Sequence, residues 1–157
     1  LHKCGKRAEA QLLVIGVTSP LKAALYQDGE CVERFTLEGK SSEVLPGLLH
    51  DILYRYRLKE IYYANGPGSF MAIKVTYVML KTLSISLDIP LFAADAFTFN
   101  GNRPIKAIGK SCFVKKDGKI SIVSGCIAEE NTFEVPQRLD KTLFSGDNEP
   151  LYVLPAV

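Results

Sequence analysis

The spacing of apolar residues changes period several times along the chain, and each change marks an expected element. Residues 11–17, QLLVIGV, form a near-continuous apolar run of strand length. Residues 22–38, KAALYQDGECVERFTLE, read as a hairpin that turns at Asp28-Gly29, a pair suited to the positive φ of a two-residue turn. In residues 41–56 the apolar positions Val44, Leu45, Leu48, Leu49, Ile52, Leu53 and Tyr56 fall three to four apart, which predicts an amphipathic helix capped by Ser41 or Ser42. Pro46 lies in or just after its first turn, where a missing N–H costs little. Residues 59–65 then predict a short strand, residues 69–88 a helix of about five turns, and residues 89–95 another strand.

Strand, turn, helix and strand in that order make a βαβ unit, so part of the sheet is parallel and part is the earlier hairpin. The expected fold class is α/β, with a mixed sheet and two helices. After FNGNRP, residues 99–104, the pattern alternates between short strands and turn signals with no helical period, up to a final strand LYVLP at residues 151–155. This divides the chain into a polar leader expected to be disordered at 1–10, a first lobe at 11–100 and a short β-rich second lobe at 101–157.

Composition narrows the picture only slightly. The chain is 47% hydrophobic and 23% charged, and 19 basic against 17 acidic residues leave a net charge of +2, which gives little drive toward nucleic acid. Cys4, Cys31, Cys112 and Cys126 are widely spaced with no CxxC pair, so scattered reduced thiols and a cytoplasmic address are expected rather than a zinc site. The leader lacks the apolar stretch of a secretory signal. The apolar segment from Phe70 to Phe92 contains Lys74, Lys81 and Asp88 and is expected to fall short of a membrane span.

Candidate chemistry centres on NGPGSF at residues 65–70. A Walker loop would place Lys and Ser or Thr after its last glycine, whereas Ser69 and Phe70 follow Gly68 here; a dinucleotide fingerprint would need glycine at 71, which is Met71. Pro67 removes one N–H that an anion nest would use. The favoured reading is a structural turn formed by Gly66, Pro67, Gly68, Ser69 and Phe70, with Ser69 as helix cap, and nucleotide binding is the alternative. His2 and His50 are poorly placed for catalysis, and the aspartates sit in turn-like or surface contexts. No catalytic residue, metal site or cofactor is expected.

The helix after the turn has a thin polar seam, Lys74 and Lys81. Ala72, Ile73, Met79, Leu80, Leu83 and Leu87 cluster opposite it, while Met71, Val75, Val78 and Ile85 lie beside it. Two faces therefore need cover. Either the first helix or the small lobe provides it, or a protein partner does.

Residues 25–53 followed by YYANGPGSFMAIKVTYVMLKTLSISLDIPLFAADAF resemble the bacterial TsaB family, also called YeaZ, whose members carry a GPGSFTGxR-type segment between a strand and an apolar helix. Gly66, Pro67, Gly68, Ser69 and Phe70 match that segment, while Met71, Ala72 and Lys74 stand where Thr, Gly and Arg are usual. Gly16 stands where the superfamily's first strand ends in aspartate, leaving Thr18 and Ser19 as the nearby hydroxyls. The resemblance implies an actin-like ATPase lobe of ribonuclease-H-like topology with a truncated second lobe.

The function it implies is that of a noncatalytic scaffold that supports the TsaD subunit in transferring a threonylcarbamoyl group to the adenosine next to the anticodon of tRNA. A TsaE-like ATPase joins through the complex, tRNA is contacted only indirectly, and no membrane is involved. Partner or homodimer contacts are expected at Leu45, Leu49, Ile52, Met71, Val75, Val78, Met79 and Ile85. The alternatives are a residual enzyme of the superfamily, either an ATP hydrolase or a glycoprotease-like peptidase, and a homodimeric structural protein unconnected with tRNA.

Overall fold

The computed structural model describes residues 7–153. The chain opens with strand β1 (Ala8–Ile15), whose apolar run is continuous because both of its faces are covered. Residues 8–10, expected in the leader, are the start of this strand and run parallel to residues 56–58; Ala8 and Glu9 lie at the exposed end of the sheet, so the segment lacks the apolar run that marks the rest of the strand. The rest of the leader, residues 1–6, lies outside the described residues.

Strands β2 (Leu21–Gln27) and β3 (Glu30–Leu37) form the expected hairpin, with Asp28 and Gly29 at φ 52° and 80° in the two-residue turn. Helix α1 (Ser41–Arg55) follows, and its cap differs from the expectation. Lys40 is the N-cap residue, and its backbone N–H donates to the Glu43 carboxylate at 3.4 Å. Ser41 is instead the buried first residue of the helix. Pro46 lies deeper in the helix than expected, but on its exposed side, where water can reach the carbonyl left without a donor.

Strand β4 (Tyr56–Ala64), helix α2 (Phe70–Leu87) and strand β5 (Leu91–Ala94) complete the βαβ unit. The first sheet has the order β3-β2-β1-β4-β5, with β1, β4 and β5 parallel and the hairpin antiparallel. Residue alternation divides its side chains between two cores. Leu12, Val14, Ala23, Leu25, Ile61 and Tyr63 pack with Leu45, Leu48 and Ile52 of α1 and Leu80 of α2. Leu13, Ile15, Ala24, Tyr26, Tyr62 and Ala64 face the other way.

That second face is covered by the end of the chain. Strands β6 (Ile105–Lys106), β7 (Ser111–Lys116) and β8 (Lys119–Ser124) form a small antiparallel sheet, and its Ile105 and Phe113 enter the same core as Leu13. Residues 131–153 then leave the small sheet and return along the first one as an irregular strap. Cys31 N–H donates to the Gln137 carbonyl (2.9 Å), Ser145 and Ala93 exchange two backbone bonds (2.8 and 2.9 Å), and Leu151 N–H donates to the Asn65 carbonyl (2.7 Å). The expected strand at 151–155 is part of this strap: Leu151 to Val153 form no strand, and the remainder lies outside the described residues.

Two buried tyrosines fasten the strap. Tyr26 Oη donates to the Pro136 carbonyl and Tyr63 Oη to the Asn148 carbonyl, both at 2.5 Å. Burial pushes both phenols well above their usual range, which keeps them protonated as donors. The expectation of reduced thiols is also corrected. Cys112 and Cys126 form a disulfide with Cα atoms 6.1 Å apart, because the β7–β8 hairpin folds the chain back on itself; Cys31 is a half-buried free thiol.

Candidate protein-binding face and glycine turn

The turn between β4 and α2 is shaped by close backbone approach. Gly66 has φ 129°, and a β-carbon there would collide with the carbonyl of Leu151. A β-carbon on Gly68 would stand 2.5 Å from the carbonyl oxygen of Val17. Ser69 N–H donates to that carbonyl at 2.9 Å, and Ser69 Oγ accepts from Ala72 N–H at 3.4 Å as the N-cap of α2. With Pro67 lacking an N–H and the Ser69 N–H already engaged, the turn offers little of an anion nest. Its glycines let α2 start directly against β1.

That approach fills the end of β1. A β-carbon on Gly16 would lie 2.8 Å from Thr76 Oγ1 and 3.3 Å from Leu21 Cδ1. An aspartate side chain has no room at this position while α2 holds Thr76 there. The Thr76 hydroxyl is itself buried without a hydrogen-bond partner among the described residues. Among the described residues no three His, Cys, Asp or Glu side chains converge as a metal site would require.

Helix α2 is held to the sheet by Ile73, Thr76, Leu80 and Ser84, a buried side two of whose members are hydroxyl residues. Apolar counting found Ile73 and Leu80 of this side, but Leu87 is exposed, and Thr76 and Ser84 were not expected in it. Ser84 fits because its hydroxyl donates to the Ile89 carbonyl at 2.5 Å, just past the left-handed Asp88 that ends the helix. By length and composition α2 is apolar enough to cross a bilayer, despite Lys74 and Lys81.

Opposite this buried side runs a stripe that no other described element covers. Met71, Val75, Val78, Thr82 and Ile85 recur at alternating steps of four and three residues, so at 100° per residue they fall within roughly 80° of helix circumference. Met71 and Ile85 are each 69% exposed and Val78 is 52% exposed, while Val75 is half-buried. The Thr82 hydroxyl donates to the Val78 carbonyl at 2.7 Å, which leaves its methyl as the outward surface. The small sheet packs on the far side of the five-stranded sheet and α1 lies beside α2, so neither covers the stripe.

The other expected contact residues divide differently. Leu45 and Ile52 are fully buried against the sheet, so they belong to the core and not to an outer surface. The three-to-four period of α1 signals burial of that face but cannot say against what. Leu49 and Met79 are half-buried and pack against the helix-side core. The structure therefore brings Met71, Val75, Val78 and Ile85 together and removes Leu45 and Ile52 from the surface. Thr82 was missed because it is not apolar, although its place in the heptad spacing marked it.

A five-stranded sheet in this order, with helices crossing one face and the carboxyl end of β1 meeting the turn before α2, is a ribonuclease-H-like lobe of the actin-like fold. Among solved structures, the chain is similar to YeaZ from Pseudomonas aeruginosa, with TM-score 0.54 and 17% identity over 82% of this chain and 70% of that one. It is also similar to a protein described as resembling peptidase YEAZ from Pseudomonas aeruginosa, with TM-score 0.56 and 15% identity over 95% of this chain and 85% of that one. At such identities the likeness establishes the fold. No protein-family model and no curated protein matches the sequence.

Proposed function

We propose that this chain is a TsaB-type scaffold subunit of a tRNA threonylcarbamoyladenosine synthase, and that it acts by docking a TsaD-like subunit rather than by carrying out chemistry. The observation that carries the proposal is the uncovered Met71–Val75–Val78–Thr82–Ile85 stripe on a YeaZ-like lobe. A heptad stripe of this kind suits packing against another helix, since its residues interdigitate with a facing row at about 8–10 Å between axes. The filled end of β1 supports the noncatalytic part, because Thr76 occupies the space that an acidic side chain at position 16 would need. A second copy of the chain would compete for the same stripe in the absence of the larger subunit.

Reconstitution tests this reading. The chain alone is expected to hydrolyse no ATP. Added to TsaD-like and TsaE-like subunits with tRNA, ATP and threonylcarbamoyl adenylate, it is expected to be required for transfer. Transfer at the full rate without this chain would reject the scaffold role, and ATP turnover by the isolated chain would reject its noncatalytic nature.

A further inference from the structure

The net charge of +2 conceals a separation of charge. Residues 101–127 hold Arg103, Lys106, Lys110, Lys115, Lys116 and Lys119 against the single acid Asp117, so this stretch carries +5 and the remainder of the chain −3. Pairing register decides where these charges point. Ile105, Phe113 and Lys115 lie on the inner face of the small sheet opposite Ile122 and Ile120, and Lys115 is held there by Asp95 at 2.5 Å. Lys106 pairs with Cys112, Lys116 with Lys119, and Val114 with Ser121, all on the outer face.

Lys106, Lys116 and Lys119 on that face, and Lys110 in the turn beside it, are all exposed, and they form no ion pair among the described residues. Lys116 and Lys119 stand directly opposite one another, an arrangement that destabilises a hairpin unless something outside it takes up the charge. From Cys112, which faces Lys106, to Lys116 is four residues, or about 13 Å of strand. The face is rigid, because the Cys112–Cys126 disulfide closes over it and the Asp117-Gly118 turn fixes the hairpin register.

We infer that the outer face of the β6–β7–β8 sheet binds the sugar-phosphate backbone of a nucleic acid through Lys106, Lys110, Lys116 and Lys119. A span of about 13 Å meets roughly four charges on a strand that presents one per about 3.4 Å of axis. An acidic protein patch or an anionic membrane would meet the same sign of charge. The lysines, however, sit at both ends of the face, whereas the fully exposed Ile108 and Ile127 that could enter a bilayer both lie near the Lys110 end. The choice of tRNA as the nucleic acid rests on the scaffold reading above, and the face would steady tRNA while a larger subunit performs the transfer. No aromatic side chain stands on this outer face to stack a base, so backbone contact without sequence preference is the expected mode.

Fluorescence anisotropy of a labelled tRNA transcript, titrated with the full chain between 50 and 200 mM salt, tests the inference. Four phosphate contacts predict a slope of log K against log salt of about −3, with weak binding at the upper end. The variant Lys116→Gln/Lys119→Gln is expected to keep its melting temperature and to reduce the slope by about 1.5 to 2 units. An unchanged slope in the variant, no binding by the parent at 50 mM salt, or binding to phosphatidylserine vesicles in place of tRNA would each overturn it. Failure to assemble with a TsaD-like subunit, with the salt slope intact, would sink the scaffold reading and leave this one standing.

Discussion

At the residue scale, the account turns on pairs of side chain and backbone that leave no spare room. Gly16 and Thr76 are the clearest. Placing a methyl group at Gly16 drives it to 2.8 Å from the Thr76 hydroxyl, with Leu21 Cδ1 at 3.3 Å as a second close neighbour. Gly16→Ala is therefore expected to cost about 1–3 kcal/mol in urea denaturation. Adding Thr76→Ala removes the colliding hydroxyl and is expected to return most of that loss. Equal and additive costs would show that the two residues do not compete for the same space.

Asp51 gives a residue-scale prediction of a different kind. The hydrogen bond donated by Arg55 holds its carboxyl below the ordinary range, and the same guanidinium reaches Glu33 on β3 at 2.8 Å, tying the end of α1 to the sheet edge. A carboxyl depressed in the folded state contributes stability at pH values above its unfolded range and loses it as pH falls through its folded one. The melting-temperature gap between the native chain and Asp51→Asn should thus be present near neutral pH and close in strong acid. A gap that widens on acidification would contradict the assignment. The effect is small, since the pair is solvent-exposed.

At the scale of elements, the strap over residues 131–153 replaces regular structure that the second face of the sheet would otherwise need. It has no hydrophobic period of its own, and it is placed by bonds from the sheet's backbone and from Tyr26 and Tyr63. Tyr63→Phe removes one fastening and leaves the Asn148 carbonyl without this donor, an expected loss of about 1 kcal/mol. Amide exchange at Leu151, which is bonded to Asn65, should quicken more than exchange at Ile61 in the sheet centre. Uniform quickening would show that the strap opens only when the whole molecule unfolds.

The strap also explains what the sequence could and could not express. The hairpin at Asp28-Gly29, both helices and the βαβ order were legible because period and turn chemistry are local properties. The Ser69 cap was legible for the same reason. The strap was not, because segments that bond through their backbone leave no pattern in side-chain order, and so LYVLP looked like a strand. Thr76 and Ser84 escaped notice since their hydroxyls are buried by tertiary contacts, Thr76 against Gly16 and Ser84 on the Ile89 carbonyl. Burial of Leu45 and Ile52 was legible, but whether the cover was the sheet or a partner is a tertiary fact. The disulfide joins cysteines 14 residues apart that only the β7–β8 register brings together.

At the scale of the whole molecule, the two proposals assign separate tasks to the two faces of the sheet. The helix side presents an apolar stripe, and the outer face of the small sheet presents lysines that form no ion pair among the described residues. A subunit that holds a larger partner on one side and a polyanion on the other needs a stiff layer between them, which the five-stranded sheet supplies with cores on both faces. This division also accounts for the mild net charge, since the basic stretch is offset by acids elsewhere in the chain.

The proposed docking role of the α2 stripe requires that it be no part of the fold, a requirement that Val78→Glu probes. Val78 is half exposed, so the new carboxylate should change folding stability by only about 0.5 kcal/mol. In a dry helix-to-helix contact the same charge would cost several kcal/mol of binding. The measurement is the mass of the variant by light scattering, alone and mixed with a TsaD-like subunit, beside its melting temperature. The expected outcome is a folded variant with a native melting temperature that no longer forms either the complex or a self-dimer. A variant that assembles as the parent does, or one that fails to fold, would contradict it.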